Sequence, residues 1–265
     1  MNMKKMLFGL TVIVISVGVA LAAPLKKIVL KIAADAVPHA ELLEIIKPDL
    51  AKQGIELKIY PVTDTTLLNT QTSDGELDAN FFQHYEYLEA QAKEKHLDLA
   101  SAGNIHVEPI GVYSDKYKSI DAIPKNAKIA IPNDSTNEYR VLKLLEKNGF
   151  IKLKSTIKPF TTSIHDIEKY IKPIKLIELD YTLIPRVRDQ FDAYSTWTNK
   201  VLEAGIDINS RILVEDGNSP YANIIVVNSK RLNDPSIKAL VAALRSDKVK
   251  KFIAEKYKGT VIPAN

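Results

Sequence analysis

Two hydrophobic periods alternate along this chain. Lys27–Ala33 (KIVLKIA) and Glu56–Val62 (ELKIYPV) repeat every second residue, as strands with one wet face do. Pro61 places the end of the second strand there, or puts that strand at a sheet edge. Between them Leu42, Leu43, Ile45, Ile46 and Leu50 form the stripe of a helix over Ala40–Gln53, with Gly54 at the C-cap position. The alternation continues with helices over 66–73, 85–95 and 138–148. Strands follow at 79–82, 104–114, 127–131, 174–179, 190–194 and 223–227. Two helices, broken near Ser246-Asp247, close the chain over 234–257. Such β/α alternation predicts mostly parallel sheets covered by helices.

There is no repeat, low-complexity tract or flexible linker. A chain of 265 residues allows two lobes, joined by ordered crossings at 104–114 and 221–228. Hydrophobic residues make up 46% and charged residues 26%, which excludes a disordered chain or a multi-span membrane protein. The formal charge of +4 is too slight and too evenly spread to argue for nucleic acid. No cysteine is present, which excludes disulfides, a thiolate nucleophile and cysteine-ligated metal.

The first 22 residues differ from the rest. Lys4 and Lys5 precede an uncharged apolar run, Leu7–Ala22, which ends in the small-x-small pattern Ala20-Leu21-Ala22. This is the layout of a secretory signal peptide, leaving a mature chain from Ala23. The run is short of the roughly 20 residues a membrane span needs. With no lipobox cysteine, a soluble periplasmic protein is expected.

Three segments carry candidate chemistry. DGELDANFFQHYEYLE (74–89) places Phe81, Phe82, Tyr85 and Tyr87 around His84, either as core packing or as a cage for an apolar or thioether side chain. IAIPNDSTNEYR (129–140) runs a strand into a helix start near Thr136 or Asn137, whose free N–H groups suit a carboxylate. Arg140 adds a planar fork there, unless it is a salt-bridged surface arginine. SPYANIIVVN (219–228) sets Asn223 where a polar turn meets a buried strand, as a ligand contact or a turn cap. Catalytic motifs are missing: there is no phosphate loop, GxSxG or HExxH. His84 with Glu86 is the one acid–base pair an enzyme could use, without a nucleophile beside it. His106 and Glu108 form H-x-E, two donors on one strand face without an evident third, so no metal and no cofactor are expected.

VPHAELLE (37–44), DGELDANFFQHYEYLE (74–89), HVEPIGVYS (106–114), IAIPNDSTNEYR (129–140), LEAG (202–205), SPYANIIVV (219–227) and FIAEKYKGTVIPA (252–264) together resemble the NlpA-type methionine-binding family. These are substrate-binding components of D,L-methionine ABC importers. The resemblance implies a type II periplasmic-binding-protein fold, with lobe 1 at 28–110 plus 226–265 and lobe 2 at 111–225. It implies a monomer that serves a permease/ATPase complex in the inner membrane and does no chemistry on its ligand. It carries ligand contacts onto Phe82, His84, Tyr87, Arg140 and Asn223. The alternative is an exported surface or interaction protein whose pocket has degenerated. Departures cluster at the pocket. Thr65 stands where the family has an aromatic. Trp197 aligns with a ligand-binding Asn, unless Asn199 substitutes for it, and is counted among the expected contacts. Ser135 and Tyr139 replace Pro and Gly.

Overall fold

The computed structural model describes residues 27–216 and 219–264. The expected signal peptide lies outside the described residues. In chain order the main elements are β1 (Ile28–Asp35), α1 (Glu41–Ala51), β2 (Ile55–Val62), α2 (Leu68–Ser73), β3 (Ala79–His84), α3 (Tyr85–Lys95), β4 (Leu99–Val107) and β5 (Ile110–Tyr113). Next come β6 (Ala127–Pro132), α4 (Ser135–Lys147), β7 (Ile151–Leu153), β8 (Ile167–Tyr170), β9 (Ile174–Leu179), α5 (Ile184–Val187), β10 (Ala193–Trp197) and α6 (Thr198–Glu203). The chain finishes with β11 (Arg211–Val214), β12 (Ala222–Asn228), α7 (Pro235–Leu244), α8 (Asp247–Tyr257) and β13 (Ile262–Pro263).

The strands form a six-stranded sheet, β13-β4-β12-β3-β1-β2, a five-stranded sheet, β11-β5-β10-β6-β9, and the small pair β7-β8. Each of the two large sheets carries its own core. Leu30, Ile32, Leu42, Ile46, Phe81 and Ile225 are buried with α1, α7 and α8 in the first. Ile129, Ile131, Val141, Leu145 and Phe150 are buried with α4 in the second. The result is two α/β lobes. β2, with Pro61 inside it, is an edge strand, so the missing N–H breaks no central ladder.

Two expectations need correction. The strand expected over 104–114 is two strands, β4 in the first sheet and β5 in the second, separated by Glu108-Pro109. Proline has no N–H to donate to a ladder, so the chain changes sheets there. The strand at 221–228 does not cross between lobes. β12 pairs with β3 and β4 from its first residues, so 222–225 sit in the first sheet rather than in lobe 2. The second crossing falls between β11 and β12.

A candidate ligand cleft between the lobes

The cleft is built by elements that end at its rim. β3 runs into α3 at His84, which caps that helix, its Nδ1 3.3 Å from the Tyr87 amide. The strand's alternation sends Phe81 fully into the core and leaves Phe82 half-buried. The helix turn then brings Tyr87 beside Phe82, with ring centroids 6.0 Å apart. Tyr85 is half-exposed and points elsewhere. From the second lobe, β6 leads into α4, and Asp134 caps it by accepting the Asn137 N–H at 3.0 Å. The free helix-start N–H groups expected for an anion are therefore partly taken by the chain's own carboxylate. α4 also starts earlier than expected, at Ser135, so Arg140 lies on its second turn.

A cleft lies between the lobes, with about 440 Å³ of empty space when the solvent at its open mouth is counted. Phe82, His84, Tyr87, Arg140, Trp197 and Asn223 all line it, as do Thr65 and Asn199. Gln83, Glu108 and Asn137 line it too, as do three residues without a sequence signal: Asp35, Tyr181 and Lys200. Tyr181 is the most consequential. It lies just beyond β9, and its Oη is 2.6 Å from Thr65 Oγ1 in the opposite lobe. Its ring stands edge-on to Tyr87 at 6.5 Å and to Trp197 at 5.4 Å. The aromatic wall missing at Thr65 is thus filled from the other lobe. Burial pushes the Tyr87 and Tyr181 hydroxyls above the ordinary phenol range, which keeps both neutral.

The polar end of the cleft is tightly organised. His84 Nε2–H donates to Asn137 Oδ1 at 3.1 Å, and the same oxygen accepts from Arg140 Nη1 at 3.3 Å. Asn137 Nδ2 donates to Asp134, which fixes the amide's orientation. His84 Nδ1 lies 3.0 Å from Glu86 Oε2. Arg140 is buried, and Glu215 holds it: Nε donates to Oε1 at 3.0 Å and Nη2 to Oε2 at 2.6 Å. Tyr221 lies under the guanidinium, 4.0 Å from ring centroid to Cζ. Glu215 also accepts the Ile110 N–H and the Ser219 hydroxyl, each at 3.2 Å, so its carboxylate is anchored where both crossings meet. Of the five guanidinium N–H groups, these bonds leave one on Nη1 and one on Nη2.

A second ion pair spans the cleft. Lys200 of α6 donates to Asp35 at the end of β1 at 2.8 Å and to Glu203 at 3.0 Å, and Asn199 Nδ2 donates to Asp35 at 3.3 Å. Burial pushes the Asp35 carboxyl up to about 7 against the pull of Lys200. Burial lowers Lys200, but Asp35 and Glu203 more than offset it, so the ammonium stays charged. Below the cleft wall, burial raises Glu108 to about 7 and lowers His39 and His106 to about 3 each. His39, from the turn before α1, supplies the third donor beside His106 and Glu108 that spacing did not reveal.

Two α/β lobes closing on a small, aromatic-walled cavity define a solute-binding protein. The NlpA lipoprotein family model matches residues 30–265, and the chain belongs to that family. It is 38% identical to membrane lipoprotein TpN32 of Treponema pallidum, over 95% of this chain and 94% of that protein. It is 34% identical to the methionine-binding lipoprotein MetQ of Bacillus subtilis, over 99% and 100% of the two chains. A nutrient binding protein from Burkholderia cenocepacia, solved bound to methionine, superposes with a TM-score of 0.84 at 38% identity, covering 89% of this chain and 100% of that one. Two of these three relatives are described by what they bind, and none by a reaction.

Proposed function

We propose that this protein captures one amino acid, methionine or a close relative, in the inter-lobe cleft and delivers it, as an exported monomer, to an ABC importer. The observation that carries this reading is the cross-lobe cage. Phe82, Tyr87, Tyr181 and Trp197 come from both lobes and line one cleft, with Tyr181 edge-on to Tyr87 and to Trp197. Aromatic edges and faces suit an apolar or thioether side chain. Arg140's two remaining N–H groups would hold the ligand carboxylate, with Glu215 and Tyr221 setting the guanidinium plane. Asn223 would hold the polar end, and His84 would close the cage. Because the cage draws on both lobes, a ligand inside it favours the closed form, the signal a permease reads.

The family's name and those of its relatives are lipoprotein names, whereas the 265 residues here contain no cysteine to bear a lipid. The proposed export therefore rests on the apolar segment at 7–22. Removing residues 1–22 should leave the protein in the cytoplasm of an expressing cell, and fractionation reads this.

The binding test is thermal unfolding of protein stripped of ligand by unfolding and refolding. L-Methionine, D-methionine and the other amino acids are the probes. A ligand at 100 times its Kd stabilises by about 2.7 kcal/mol, roughly 5–10 °C in Tm for a chain of this size. A shift with methionine supports the reading. A shift with a different amino acid alone reassigns the ligand. No shift with any would overturn capture and favour a degenerate pocket used as an interaction surface.

A further inference from the structure

The turn before α1 and the Glu108-Pro109 sheet change bring three buried donors together. Glu108 Oε1 lies 2.7 Å from His106 Nε2 and 3.6 Å from His39 Nε2. The donor atoms of the three residues all lie within 4.8 Å of one another. Both rings are 0% exposed and Glu108 is 3% exposed. The rings stack edge-on, 4.7 Å apart, and Phe81 stands edge-on to each, at 4.5 and 5.3 Å. His106 Nδ1 has no hydrogen-bond partner, and His39 has at most a loose one in the Asn223 side chain. Buried polar atoms are normally satisfied, and one carboxylate oxygen does not satisfy two imidazoles.

We propose that His39, His106 and Glu108 form a three-ligand site for a divalent transition-metal ion of the zinc class, set just behind the cleft wall. Two imidazole nitrogens and one carboxylate oxygen are the donor set of open tetrahedral zinc sites, whereas calcium and magnesium take oxygen ligands. Bonds of about 2.0–2.1 Å put tetrahedral ligand atoms roughly 3.3 Å apart. The His106–Glu108 contact must open slightly to reach this. His39 Nε2 and Glu108 are already close to it. Glu108 lines the cavity, so the open side of the three donors would face the cleft. The site is independent of which amino acid the cleft binds.

The test uses the intact mature protein, treated with a chelator, dialysed, and titrated with ZnCl2 in a calorimeter. One equivalent is expected, with affinity reduced at least 100-fold in both His39→Gln and Glu108→Gln. Circular dichroism checks that the variants fold. A variant-free readout stands beside it: Co2+ added to the wild-type protein should give the intense visible bands of tetrahedral coordination. Substoichiometric zinc binding would overturn the site. So would one equivalent retained in both variants, which would assign the metal to exposed histidines such as His96. Octahedral cobalt spectra would overturn it as well.

Discussion

Thr65 and Tyr181 touch across the cleft, Oγ1 to Oη at 2.6 Å, so the cage is complete only when the lobes meet. This relationship accounts for the small residue at position 65, since an aromatic there would contend with Tyr181 for the same space. Replacing Tyr181 with Ala removes a wall as well as a latch. Ligand affinity should fall roughly 10- to 100-fold, as expected from the loss of most of an aromatic ring's burial. Tyr181→Phe keeps the wall and loses one hydrogen bond, so about a 5-fold loss is expected. Calorimetry on the two variants separates wall from latch. Equal losses would mean that the ring itself contributes nothing.

Arg140 and Glu215 form a buried pair whose roles in stability and binding can be separated. The Arg140 side chain is 1% exposed and that of Glu215 is 13% exposed. Glu215→Ala leaves a buried guanidinium with Asn137 as its remaining polar partner. Breaking such a pair destabilises by about 3–5 kcal/mol, whereas exchanging both members for apolar residues is often neutral or stabilising. Urea unfolding should therefore show Glu215→Ala well below wild type and Arg140→Leu/Glu215→Leu near it. The double variant should still bind an amino acid poorly, because the guanidinium proposed to hold the carboxylate is gone.

Asp35 makes stability depend on pH in a defined direction. Its folded value, about 7, lies above the ordinary aspartate value of 3.8, so the folded state binds the proton more tightly than the unfolded chain. Its stabilising contribution is complete below about pH 4 and is lost as pH rises through 7. Asp35→Asn removes this dependence while Lys200 keeps Glu203 at 3.0 Å. Chemical denaturation of both proteins at pH 5 and pH 8 should show wild type losing stability relative to the variant. An unchanged difference would mean that Asp35 is ionised throughout.

Much of this was legible in the sequence because the signals are local. The β/α alternation marked almost every large element, and the residues that the family resemblance singled out, Phe82, His84, Tyr87, Arg140 and Asn223, with Trp197 as a departure from it, all line one cavity. What escaped notice was long-range. Thr65 and Tyr181 are 116 residues apart, Arg140 and Glu215 are 75 apart, and Asp35 and Lys200 are 165 apart. No periodicity or spacing pairs a Tyr after a strand with one of the three Thr at 63–66 in the other lobe. β7, β8 and β11 were also missed, each being only three or four residues long. The helix-start N–H groups were misread because Asp134, in plain view before Ser135, was not counted as the cap.

Trp197 provides the sharpest test of ligand choice. It ends β10, with its ring edge-on to Tyr181 at 5.4 Å and an interplanar angle of 85°. Asn199, two residues on, is buried and donates to Asp35 at 3.3 Å, so the Asn that could have replaced the lost one is engaged with the chain itself. A Trp ring here makes the cage narrower and drier than an Asn would. Trp197→Asn should therefore open the cavity, weaken methionine binding by roughly 10-fold or more through lost apolar contact, and admit bulkier side chains such as phenylalanine. Calorimetry against methionine and phenylalanine gives the ratio of the two affinities. A fall in that ratio assigns Trp197 to the wall of the ligand site. Tighter methionine binding in Trp197→Asn would mean instead that the Trp obstructs a polar contact the ligand needs, and that the wild-type cleft is matched to a different amino acid.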